Sequence, residues 1–146
     1  MSSLKRTIAV FFCLFIAVSA FSDDQVKRTP PEQFLNDVSF TWLICGMNTE
    51  TALNRAAVGE GYVPGEISKC IEESKETLRK SYKSAIQHLS KRKDVQPMVK
   101  DLYSYAIASL DSLIPSDESQ RQWKQRYNER DRKMNEMKQR IKIELE

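Results

Sequence analysis

Two cysteines, Cys45 and Cys70, enclose every glycine in the chain: Gly46, Gly59, Gly61 and Gly65 all fall between them. That clustering constrains the fold more than any other feature. A pair of cysteines in an exported chain reads as a disulfide, and glycines inside the closed loop supply its turns. The chain has no Cys-x-x-Cys redox motif and no Cys-x-x-Cys-His for haem attachment. Two cysteines and the sole histidine, His88, fall short of a zinc site.

Export is expected from the N-terminus. Lys5 and Arg6 precede an unbroken apolar or small run, Ile8 to Ala20, and Asp23 and Asp24 end it abruptly. Val18, Ser19 and Ala20 offer the small residues that cleavage needs. Residues 1–22 therefore read as a signal peptide, too short for a comfortable membrane span of about 20 apolar residues. Cys13 lies inside this run, so Cys45 and Cys70 are the pair left to the mature chain. A periplasmic or secreted protein is the expectation, with no integral membrane segment after cleavage.

The rest, 23–146, has the length of one domain and can bury a core. Lys5 and Arg6 account for two of the chain's +3 net charge, which leaves +1 for the mature part. A nucleic-acid binder normally carries a marked basic excess, so no nucleic-acid partner is expected.

Helical signals dominate this part. Thr29-Pro30-Pro31-Glu32 has the order of a capping box with proline in the first turn. Phe34, Val38, Trp42 and Cys45 follow at helical steps. Leu35 and Leu43 are expected to widen that buried face, and Phe40 to touch a neighbouring helix. Gly46 suits the end of this helix. A short second helix, or a continuation past a kink, is expected over Met47–Val58.

Glu66 to Lys93 reads as a long helix with Ile67, Cys70, Ile71, Leu78, Tyr82 and Ala85 on its apolar side. The apolar stripe from Val99 to Ile114 is the widest of the chain, which makes that helix central. Pro115 stops it, and Ser116 or Asp117 is expected to cap the last helix. Residues 117–146 form a charged helix with a narrow stripe, and the sequence leaves open whether its C-terminal part packs on the bundle or extends past the body. Arg130 breaks its heptad-like seam. The fold class is all-α: a small bundle of about four main helices with one disulfide, Cys45–Cys70.

No catalytic residues, cofactor site or metal site emerge from the pattern. The glycine loop misses the dinucleotide spacing and lacks the P-loop lysine. Glu72, Glu73 and Glu76 share one helix with interleaved lysines, which is the pattern of a solvent-facing surface. His88 lacks an oriented partner for acid–base work. Candidate contact residues are Tyr62 and Val63 at the loop rim, and Trp123, Tyr127, Met134 and Met137 on the last helix. Trp, Tyr and Met favour interface cores, though the same spacing also serves a buried helix face. The expected role is binding another macromolecule of the bacterial envelope, as an inhibitor, an immunity protein or an accessory subunit. A periplasmic chaperone or ligand carrier is the alternative, followed by a cell-wall-active enzyme.

Overall fold

A computed structural model describes residues 27–61, 64–116 and 118–146. The leader over residues 1–22 and the candidate contacts Tyr62 and Val63 lie outside the described residues. Four helices make up the described chain: α1 (Pro30–Ala57), α2 (Pro64–His88), α3 (Gln96–Asp111) and α4 (Gln120–Leu145). The class is all-α with one disulfide, as the sequence implies.

Helix starts follow local chemistry. The Glu32 carboxylate accepts from the Thr29 N–H at 2.7 Å and from its hydroxyl at 2.8 Å, satisfying groups that the first turn cannot pair. At α4 the cap is Ser119, whose N–H donates to Gln122 Oε1 at 2.9 Å. Ser116 is therefore not the cap, and Asp117 lies outside the described residues. The cap lies three residues after Ser116, with Trp123 placed to reach back to Leu113. Helix α2 stops at His88, short of Lys93. Ser90, Arg92 and Val95 make short-range backbone bonds that turn the chain into α3.

Side-chain pairs fix the topology. Cys45–Cys70 and Phe34–Tyr82 set α1 antiparallel to α2. Lys75–Asp111 and Tyr82–Tyr103 do the same for α2 and α3, and Trp123–Leu113 and Arg130–Ser109 for α3 and α4. Gln120–Asn54, Lys124–Glu50 and Lys138–Ser39 close the ring between α4 and α1. The result is an up-down-up-down bundle. Helices α1 and α3 also meet across its diagonal. One buried cluster runs through all four helices, from Phe34 and Val38 to Leu78, Leu102, Leu110, Trp123, Met134 and Ile141.

Helix α4 does not leave the body. Ile141 is fully buried and Arg92 donates to the Glu144 carbonyl at 2.6 Å, so the helix is held almost to its last turn. Arg130, which interrupts the seam, reaches the Ser109 hydroxyl on α3 at 3.2 Å.

Gly46 is not a helix end. Helix α1 runs through it to Ala57 and turns only at Gly59 and Gly61, whose positive φ values of 84° and 82° suit glycine. The role of Gly46 is space. A Cβ there would lie 2.3 Å from the Tyr127 ring. Tyr127 cannot easily yield, because it stacks on Trp42 (centroids 4.6 Å apart) and on Trp123 (5.4 Å). Overpacking of this kind costs about 1–3 kcal/mol, against about 1 kcal/mol that alanine returns in helix propensity. Gly46→Ala is therefore expected to destabilise the fold by up to about 2 kcal/mol in urea unfolding. A variant as stable as the parent would show that the aromatic stack moves aside freely.

Candidate functional site

Between Val38 and Thr49, α1 carries no charged residue. One side of this run enters the core with Val38, Trp42 and Cys45. The other side is unpartnered. Phe40 is 60 %, Leu43 52 %, Ile44 36 % and Met47 54 % exposed. Spacings of three, one and three residues place the four on one face of the helix. Two expectations are corrected here: Leu43 does not widen the buried face, and Phe40 touches no neighbouring helix closely enough to be covered. Eight residues advance a helix by about 80° beyond two whole turns, so Leu43 is rotated away from buried Leu35 toward solvent.

The rim of this apolar stripe is polar. Asn36 lies one turn before Phe40, and Thr51 one turn after Met47, both exposed. Along the α4 side, Lys124 pairs with Glu50, and Gln120 donates to Asn54. An apolar centre with a polar, hydrogen-bonded rim is the usual anatomy of a protein-binding patch. The four side chains leave roughly 400 Å² of apolar surface, the size of the largest patch on an ordinary monomer, which is often a functional one.

A second feature lies where the first turns of α1 meet the last turns of α4. Arg28, Glu32, Leu35, Asn36, Ser39, Lys138 and Lys142 line a cleft of about 310 Å³. The Lys138 ammonium donates to Ser39 Oγ and to Asn135 Oδ1. Partial burial holds its pKa below the ordinary lysine value, and neighbouring Lys142 lowers it further. On the far side of the bundle Lys75 is held in the opposite direction, raised chiefly by its hydrogen bond to Asp111.

The expected contact residues on α4 are placed differently. Trp123 and Met134 are enclosed in the core, and Trp123 Nε1–H donates to the Leu113 carbonyl at 3.1 Å. Neither leaves surface for a partner. Tyr127 is partly buried between two indoles, and burial pushes its hydroxyl pKa up, aided by Asp131 and Glu50. Met137 is partly buried beside Met98 and Arg140. Trp42 has the one buried side-chain polar atom among the described residues without a hydrogen-bond partner, its Nε1–H. Burying the indole against Tyr127 outweighs that lost bond.

Three carboxylates of α2, Glu72, Glu73 and Glu76, are occupied on its exposed surface. Glu72 pairs with Lys75, Glu73 with Lys69, and Glu76 with Arg79 and Lys80. His88 is exposed at the end of α2, in a shallow cleft with Arg92 and Thr29. Among the described residues no three His, Cys, Asp or Glu side chains gather as metal ligands, and no helix is long and apolar enough to cross a membrane.

The residues that sequence reasoning missed as a site are Phe40, Leu43, Ile44 and Met47. Their signal was present. A helix that is apolar on both faces over twelve uncharged residues has more apolar surface than one core contact can cover. Compared with family models, curated proteins and solved structures, the chain finds no match in any of the three.

Proposed function

We propose that this is an exported, periplasmic protein that works by binding another macromolecule, as an inhibitor, immunity or accessory protein does. The contact surface is the outer face of α1. One observation carries the reading: four large apolar side chains, Phe40, Leu43, Ile44 and Met47, stand in solvent on one face of an uncharged helical run. Keeping that surface wet has no benefit to folding, since burial of apolar area is what stabilises a fold. The patch supplies about half of the roughly 800 Å² that each side of a standard interface contributes, so the polar rim completes the contact. The apolar run that reads as a leader, Ile8 to Ala20, supports export.

A photo-crosslinking residue in place of Met47, in the producing cell, tests this. A discrete adduct with a different polypeptide is expected, absent when the same residue replaces Lys80 on α2. Leu43→Glu should abolish the adduct while changing unfolding stability by no more than about 0.5 kcal/mol, because the side chain is mostly exposed. Absence of any adduct at Met47, or adducts only with a second copy of the chain, would overturn the reading.

A further inference from the structure

The cleft between α1 and α4 stands apart from the apolar stripe and asks for a different ligand. Its walls carry three cations, Arg28, Lys138 and Lys142, and one acid, Glu32. The acid is committed elsewhere, because one of its oxygens accepts both the N–H and the hydroxyl of Thr29. Among the described residues, no carboxylate lies within ion-pair distance of any of the three cations. Arg28 and Lys142 are exposed, whereas Lys138 is half-buried, and two of the other half-buried cations have carboxylate partners. Lys75 has Glu72 and Asp111, and Arg126 has Glu118.

Lys138 is the most telling member. It reaches across from α4 to α1 and is partly desolvated, yet its only partners are neutral oxygens of Ser39 and Asn135. Both partners are oriented to receive it. Ser39 gives its own proton to the Leu35 carbonyl at 3.2 Å, which turns a lone pair toward the ammonium. Asn135 spends its amide N–H on Asp131 at 3.0 Å, which fixes its oxygen toward Lys138. Two of the three ammonium protons are thus taken and the third remains for a ligand. Asp131 is the one acid that acts on Lys138, and it does not outweigh the desolvation and the neighbouring Lys142, so an anion in the cleft would offset the remaining cost.

We propose that this cleft is a binding site for a dianionic phosphate group, free or as a small monoester. The charge count selects it. Three cations less one carboxylate leave an excess of two positive charges, which a phosphate of about −1.5 to −2 neutralises and a carboxylate does not. Arg28 supplies a planar fork suited to two oxygens, and Lys138 and Lys142 supply point charges from the opposite wall. Asn36 adds a neutral donor. The cleft volume of about 310 Å³ admits a phosphate with a small substituent.

Titration of the mature protein with inorganic phosphate at pH 8, followed by NMR, tests the site without any protein partner. Ionic strength is held constant with sodium chloride. Saturable shifts are expected at Ser39, Asn36 and Lys138, with Kd on the order of 1 mM. Lys138→Met should weaken binding about tenfold, and Lys138→Arg should retain most of it. Arg28→Gln, which lies ahead of α1 and outside the core, should also weaken binding by about tenfold, so the test does not depend on one variant folding. Lys80→Met on α2 should change nothing. A parallel arm uses phosphatidylglycerol vesicles, whose diester carries a single charge. Vesicle binding without phosphate binding would overturn the dianion assignment. So would phosphate shifts that are absent, or that survive both Lys138→Met and Arg28→Gln.

Discussion

Removal of the Cys45–Cys70 bridge, as the double variant Cys45→Ser with Cys70→Ser, is expected to lower stability by about 2–5 kcal/mol. The bridge joins residues 25 apart in sequence, with Cα atoms 5.8 Å apart. Opening a loop of that length restores about 3 kcal/mol of chain entropy to the unfolded state. Its position adds to the effect. Cys45 is fully buried in the middle of α1, and its sulfur lies 3.2 Å from the Ser74 hydroxyl on α2. The link therefore clamps the centre of one helix to the second turn of the next, rather than tying two helix ends. Thermal unfolding with and without reductant should differ by roughly 10 °C. Coincident melting curves would show that α1 and α2 hold together unaided.

Trp123→Ala is expected to cost about 3–5 kcal/mol, the range for deleting a large buried aromatic. Three contributions converge on this residue. It is almost fully buried, it stacks on Tyr127, and its indole N–H pairs the Leu113 carbonyl beyond the end of α3. Loss of that donor leaves a buried carbonyl unpaired, which alone costs about 1–3 kcal/mol. Trp123→Phe separates the contributions, because it keeps a ring against Tyr127 and removes only the donor and some volume. Urea unfolding should place it between the parent and the alanine variant. A cost below about 1 kcal/mol for Trp123→Ala would mean that α4 contributes little to the core.

Much of the fold was legible in the sequence because its signals are local. Thr29, Pro30 and Glu32 announce a helix start within four residues, and Pro97 and Pro115 punctuate the chain near α3. The pair Cys45 and Cys70 needs only counting. Gly46 was misleading because its meaning is set by Tyr127, a residue from another helix. Terminal and interior glycines look alike until the facing side chain is known. The stripe at Phe40, Leu43, Ile44 and Met47 was hidden for a related reason. Periodicity shows that α1 has apolar residues on both faces, but not which face the other three helices cover. Arg28 and Lys138 meet only because α4 runs antiparallel to α1, and no spacing rule encodes that. The cap falls at Ser119 rather than at Ser116 or Asp117, because Ser119 has Gln122 three residues on to complete a capping box.

The bridge and the apolar stripe occupy the same level of α1. Cys45 is the next residue after Ile44, and it faces inward where Ile44 faces out. A helix tethered at that level arrives at an encounter already shaped, so the conformational freedom that a loose segment surrenders on binding has been given up during folding. In the proposed binding role a rigid face of this kind would dock with little rearrangement, and preference among related partners would rest mainly on how long each complex survives. If the stripe binds a partner as proposed, the covalent link would tie that recognition to redox state. In a compartment that reduces it, the same four side chains would still be present, but each complex would carry an ordering cost that the oxidised protein avoids.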